Sequence, residues 1–261
     1  MAAQQGLGGY QYSDIAFRAA IIILVHGFRA ICFVETRQGL VFGQINPIVA
    51  AMKDAQLITC QADVDAGAKW LSQKDMRLAS AYQETGQLPL RLRDDGFAQL
   101  LSAIVSQQVS TASAAAIWSR MENANLTSEE TVAAANPEDL RAVGLSRQKI
   151  AYAHALAEAQ IDYEGLRQST DADVIKTLTQ VKGIGVWTAE IYAMFSLGRA
   201  DVFAPNDLAL QEAARFIFDL PDRPTERELR KMSLEWSPWR AVAARLFFAY
   251  YRIAKGREGI R

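Results

Sequence analysis

From Val64 onward, apolar residues recur at three- and four-residue spacing, which predicts a succession of helices. Asp63 or Asp65 is placed to cap the first, which runs through Trp70 to Met76. Leu88-Pro89-Leu90-Arg91 reads as an extended linker, because a proline pushes the residue before it out of the α region. After Asp95-Gly96 a helix carries Phe97, Leu100, Leu101, Ile104 and Val105 on one face, and Ser106-Gln107-Gln108 then breaks that face with polar groups. Ser113 to Met121 forms an Ala-rich helix with Trp118 as its anchor. Asn136-Pro137-Glu138-Asp139 caps another, ending at Val143-Gly144, and Ser146 caps the helix that presents Ile150, Ala153, Leu156 and Ala157 on one side. Arg147 and Lys149, in its first turn, read as solvated, with contact to phosphate as the alternative.

The most informative stretch runs from Asp173 to Asp207. Leu178, Val181, Ile184, Trp187, Ile191 and Met194 keep helical spacing, interrupted only by Lys182-Gly183-Ile184-Gly185. Two glycines around one apolar residue suit a turn that presents bare amides. A helix starting there points unpaired N–H groups at whatever docks on it, and phosphate is a natural guest. Thr188 adds a hydroxyl in the first turn. An ordinary αα-hairpin is the commoner meaning of Gly-x-Gly between two helices. Pro205-Asn206-Asp207 then leads into a helix from Leu208 to Phe218, where Asp207 serves at least as an N-cap. A last helix, Trp239 to Ile253, carries Phe247, Phe248, Tyr250 and Tyr251.

Residues 1–56 differ. The apolar runs Ala19–Val25 and Ile31–Val34 are too short and too interrupted to span a bilayer, and Asp14 ahead of them argues against a signal peptide. Strands at Ile21–Val25 and Ala30–Glu35, both buried, are the expectation, with the native start at Met52 or nearby and residues 1–51 an extension. The remainder, 57–261, is expected to be the functional domain.

Composition narrows the chemistry. A net charge of −1 and a pI near 6.2 do not advertise a polyanion binder, although arginines accumulate after Asp207 among interspersed acids. Two cysteines, Cys32 and Cys60, cannot ligate a four-cysteine iron–sulfur cluster or a usual zinc set, and they fit a reducing cytoplasm. His26 and His154 lack partners at ligand spacing and read as structural.

The string Val-Lys-Gly-Ile-Gly-Val-Trp-Thr-Ala (181–189), followed by Asp-Val-Phe-Ala-Pro-Asn-Asp (201–207), resembles the helix-hairpin-helix/Gly-Pro-Asp (HhH-GPD) superfamily of base-excision DNA glycosylases, within it the DNA-3-methyladenine glycosylase II branch. The likeness covers about 57–252. It implies an all-α, two-lobed fold with a cleft between the lobes, one lobe about 97–205 and the other 57–96 plus 206–261. It implies a monomer on double-stranded DNA containing damaged bases, bacterial-type and nucleoid-associated, and no membrane partner. Asp207 would be catalytic, with Asp201 bracing its loop. Trp187, Ile191 and Phe248 would line the base pocket, and Gly183, Gly185, Thr188, Gln107 and Gln108 would meet DNA, Gln108 as the wedge filling the vacated stack. No cofactor is required. A structural Na⁺ or K⁺ is implied at the backbone carbonyls of Thr179, Val181 and Ile184.

In relatives that also cut the sugar–phosphate chain, a lysine follows the hairpin. Trp187 stands at that place here, so base removal alone, with water as the attacking species, is expected. The expected function is excision of alkylated purines by hydrolysis of the N-glycosidic bond. A same-fold glycosylase for another lesion, or a non-catalytic helix-hairpin-helix DNA-binding protein, are the alternatives. Each named aromatic could equally be core, and Gln107-Gln108 could be a plain polar junction.

Overall fold

A computed structural model of the protein describes residues 56–257 and, ahead of them, three strands. The chain divides into two units, Met1–Asp54 and Ala55–Arg261. In the first, β1 (Leu24–Val25), β2 (Ala30–Thr36) and β3 (Gly39–Gln44) form an antiparallel sheet in the order β1-β2-β3, with Phe33 opposite Phe42. The β2 expectation is met to within one residue. β3 was not anticipated, because its short apolar run Leu40–Phe42 lies between two glycines that read as breakers. The burial of these strands, the proposed start at Met52 and His26 lie outside the described residues.

The second unit is helical, and its helix ends are set by local side chains. α1 (Gln61–Lys74) and α2 (Met76–Thr85) open it. Asp63 does not cap α1 from outside. It sits inside the first turn and its carboxylate accepts from the N–H groups of Thr59 and Cys60 at 2.8 and 3.0 Å, with Cys60 at the cap position. Asp75, in extended conformation, breaks α1 from α2 and accepts from the Arg77 N–H at 2.8 Å, so the single helix expected through Met76 is two.

Eight helices follow: α3 (Phe97–Ser106), α4 (Thr111–Asn123), α5 (Glu129–Ala134), α6 (Pro137–Ala142), α7 (Arg147–Glu158), α8 (Tyr163–Gln168), α9 (Asp171–Thr179) and α10 (Val186–Phe195). α11 (Leu208–Ile217), α12 (Glu226–Ser233) and α13 (Arg240–Arg257) close the unit. Ser110, Asn136, Ser146 and Thr170 cap α4, α6, α7 and α9 through side-chain oxygens. Ile117 and Met121 anchor α4, whereas Trp118 is half-buried and donates to Glu122 one turn on, at 2.9 Å.

Packing sorts these helices into two lobes. α13 lies against α1, α2 and α11, while α7 gathers α3, α5 and α6, and α9 pairs with α10. The strap before α1 joins the lobes: Ile58 N–H donates to the Gly198 carbonyl at 2.7 Å and Ala200 N–H to Gln56 at 2.9 Å. Gly198 has φ +68, and a methyl there would lie 2.6 Å from the Ile58 carbonyl oxygen, so the approach requires glycine. Phe203, Phe218, Trp236 and Phe247 pack together, Trp236 and Phe247 with centroids 4.8 Å apart. Through Phe203 the cluster ties the 200–207 loop to Trp236 and to α13. Among the described residues, no helix is long and apolar enough to cross a membrane.

Candidate active site

α9 ends at Thr179, and the hairpin reverses through Gly183, whose φ of +97 is open to glycine at least cost. A methyl on Gly183 would sit 2.4 Å from the Tyr152 ring, so packing also demands glycine there. Gly185 is different: its φ is −87 and nothing lies within 4 Å of where a methyl would point. Space, not strain, is what Gly185 supplies. The N–H groups of Val186, Trp187 and Thr188, in the first turn of α10, find no acceptor among the described residues. The Thr188 side chain is buried at 6% exposure, so only its backbone belongs to this open amide face.

Asp207 begins α11. Its Oδ1 accepts from the N–H groups of Ala209 and Leu210 at 2.9 and 3.2 Å. Its Oδ2 accepts from the indole Nε1 of Trp187 at 2.9 Å. The N-cap role and the meeting with the hairpin tryptophan are both present, on different oxygens. A cavity of about 540 Å³ opens beside them, lined by Trp187, Asn206, Asp207, Leu208, Ala209 and Tyr251. Trp187 is 40% exposed and Leu208 55%, large apolar surface that water would not favour without a guest.

Ile191 and Phe248, expected in this pocket, do not line it. Ile191 packs on the core, and Phe248 stands 6.3 Å from Phe195 with the Arg91 guanidinium 5.6 Å from its ring. The wall from α13 is Tyr251, three residues beyond Phe248 on the same side of the helix. Asp201 is held by Arg240 at 2.7 and 3.0 Å and by the Ser237 hydroxyl at 2.8 Å, so it ties the loop to the start of α13.

Gln107 and Gln108 form the turn after α3, with Gln108 at φ +56. The Gln107 amide donates to the Gly183 carbonyl at 3.0 Å, joining this turn to the hairpin. Both glutamines, with Tyr152, Gly183 and Gly185, border a second cavity of about 570 Å³. The Asp207 carboxylate is not part of it. Lys149, expected in solvent, is buried, and its Nζ donates to the Val105 carbonyl at 2.6 Å near the end of α3. Desolvation pushes its ammonium below the ordinary lysine range.

Sequence reading also passed over Glu190. It lies on α10 at 3% exposure, with Oε1 3.0 Å from Arg230 Nη2 and Oε2 without a partner. Burial, opposed in part by Arg230, raises its carboxyl to about 7. The signal was one carboxylate in the otherwise apolar run Val186–Phe195. Among the described residues no group of three or more His, Cys, Asp or Glu could hold a metal ion.

Comparison with known proteins matches residues 101–238 to the model of the HhH-GPD superfamily of base excision DNA repair proteins. DNA-3-methyladenine glycosylase 1 of Schizosaccharomyces pombe is 31% identical over 178 residues, covering 65% of this chain and 78% of its own. The crystal structure of a DNA-3-methyladenine glycosidase from Bacillus halodurans superposes with a TM-score of 0.66 at 31% identity, covering 72% of this chain and 91% of that one. The S. pombe enzyme in complex with abasic DNA gives 0.62 at 31% identity, over 70% of this chain and 95% of that one. Over more than half its length, on a two-lobed helical scaffold with this hairpin and carboxylate, the chain belongs to the HhH-GPD superfamily of base excision DNA repair proteins.

Proposed function

We propose that the protein is a monofunctional, monomeric DNA glycosylase that removes alkylated purines of the 3-methyladenine type from duplex DNA by hydrolysis. The observation that carries the reading is the Asp207 carboxylate, fixed by two backbone amides and the Trp187 indole at the edge of a cavity walled by Trp187 and Tyr251. The names of the S. pombe and B. halodurans relatives support the substrate class.

The target nucleotide leaves the stack and its base enters the cavity. A 3- or 7-alkylated purine already carries positive charge, so it departs without a general acid. The indole of Trp187 and the phenol ring of Tyr251 attract that cation. As the glycosidic bond breaks, the sugar becomes an oxocarbenium ion, which the Asp207 carboxylate stabilises. The same carboxylate orients or deprotonates the water that attacks C1′. Among the described residues no amine lines the cavity, and Lys182 lies exposed on the other side of Gly183, which supports water rather than a Schiff base.

The free amides of α10 and the open space at Gly185 suit a phosphate of the damaged strand. Gln108, in its left-handed turn, would fill the vacated stack, with Gln107 holding that turn to the hairpin. A Na⁺ or K⁺ fits the hairpin carbonyls: Val181 accepts one bond, from Ile184 N–H at 3.0 Å, and those of Thr179 and Ile184 accept none among the described residues. Bound there, the ion would add positive charge beside the phosphate.

Asp207→Asn tests the reading. The variant should bind methylated or abasic duplex and release no 3-methyladenine. Excision equal to wild type removes Asp207 from the mechanism, and strand breakage without alkali contradicts base removal alone.

A further inference from the structure

Leu90 to Arg93 is a short strap pinned at both ends. The Leu90 carbonyl accepts from Arg245 Nε at 3.0 Å, and the Arg93 N–H donates to the Phe195 carbonyl at 2.8 Å. Between these points Arg91 is held at φ +53, a left-handed conformation that non-glycine residues rarely keep without a reason. The result is that its guanidinium lies over Phe248, 5.6 Å from the ring centroid. Phe248 shares a face of α13 with Arg252, four residues on, whose Nε donates to the Phe248 carbonyl at 3.4 Å.

Beneath this surface lies Arg245, at 0% exposure, with its guanidinium 4.9 Å from the Phe195 ring. It spends Nε on Leu90 and Nη1 on the Ala241 carbonyl at 2.9 Å, and Nη2 has no partner. Burial first, and Arg91 second, push it down to about 10. Arg91 is likewise lowered, by desolvation and then by the like charges of Arg252 and Arg93. Among the described residues, none of these four arginines forms an ion pair with a carboxylate. Elsewhere in the protein, Arg167, Arg199, Arg230 and Arg240 all do. A strained backbone that gathers like charges with no internal anion is organised for an external one.

We propose that Arg91, Arg93 and Arg252, backed by Arg245, form an anion site that takes a backbone phosphate of the DNA. Arg252 lies on α13 one turn from Phe248, and Arg91 and Arg93 lie on the Leu90–Arg93 strap, so two elements supply the site. Guanidinium groups suit the two free oxygens of a phosphodiester. The inference rests on the glycosylase reading only in taking duplex DNA as the ligand.

The test is the salt dependence of binding to a duplex bearing a stable abasic-site analogue. Each neutralised phosphate contributes about 0.9 to the slope of log affinity against log salt. The Arg91→Gln/Arg252→Gln double variant should lower the slope by about 1 and weaken binding to damaged and undamaged duplex alike. Arg141→Gln/Arg227→Gln, with the same change of charge on exposed residues elsewhere, should leave the slope as in wild type. Equal slopes in the two double variants overturn the phosphate site. So does an unchanged slope with a loss of excision, which would turn these arginines toward the base. A wild-type protein that does not bind the abasic duplex sinks the glycosylase reading itself.

Discussion

Trp187→Phe separates the two jobs the structure gives this residue. Phenylalanine keeps an aromatic wall and removes the indole N–H that meets Asp207 Oδ2 at 2.9 Å. A hydrogen bond to a charged acceptor contributes about 1.5–3 kcal/mol. Trp187 is 40% exposed and water can replace its donor, so the lower end, about 1.5 kcal/mol, applies. Oδ1 keeps both of its amide donors, so the carboxylate remains near the cavity but loses one of three restraints. If that bond fixes the carboxylate under the developing sugar cation, single-turnover release of 3-methyladenine should slow about ten-fold, since 1.36 kcal/mol is a factor of ten. Affinity for an abasic duplex should change little, because that ligand has no base for the wall to hold. The assay pairs a single-turnover excision time course with abasic-duplex binding on the same preparation. An unchanged rate refutes the restraint. A rate loss matched by an equal loss of abasic-duplex affinity shows that Trp187 works through DNA binding instead.

Three further outcomes follow from the geometry. Gly185→Ala should leave thermal unfolding within about 1 kcal/mol of wild type, since its methyl meets nothing within 4 Å, while binding to duplex DNA falls at least ten-fold; unchanged binding would clear the phosphate from this turn. Gly183→Ala should destabilise the fold strongly, because φ is +97 and Tyr152 lies 2.4 Å from the added methyl; a normal melting temperature would refute the packing argument. For Glu190, the folded carboxyl titrates near 7 against an ordinary 4.5, so the folded state holds the proton more tightly than the unfolded one. Stability should therefore fall as pH rises from about 4.5 to 7 and level off above, by about 3 kcal/mol at 1.36 kcal/mol per pH unit. Glu190→Gln should flatten that slope in urea titrations across the window, and an unchanged slope would assign it to other groups.

How much of this was legible in the sequence depends on what each feature needs. The hairpin, the caps at Ser146 and Asn136 and the helix after Asp207 are local, set by a few neighbouring residues, and they stand where the spacing puts them. The choice between Phe248 and Tyr251 is not local. Both lie on one side of α13, and only the rotation of that helix against α1, α2 and α11 decides which reaches the Asp207 cavity. Lys149 and Thr188 were misread for a related reason: a cation or hydroxyl in a first turn is usually solvated, and here a neighbouring element covers it. Glu190 was passed over because nothing near it in sequence offers a cation, and Arg230 arrives from forty residues away.

The same distinction explains why net charge was a poor guide to the ligand. A value of −1 counts every carboxylate against every cation, but it does not say which of them are paired inside the protein. Asp201, Glu190, Asp95 and Glu212 each hold an arginine. Two groups without such partners among the described residues bear on the ligand: backbone amides at the start of α10, which carry no formal charge, and the arginines around Phe248, which do. They stand on different elements, the amides beside Trp187 on α10 and the arginines on the Leu90–Arg93 strap and α13. A polyanion meets those local fields and not the sum, since beyond about 10 Å the remaining charges are screened at ordinary salt. An acidic pI is therefore compatible with a strand held by such local groups, and moving acids on remote surfaces should alter the pI without altering affinity for DNA.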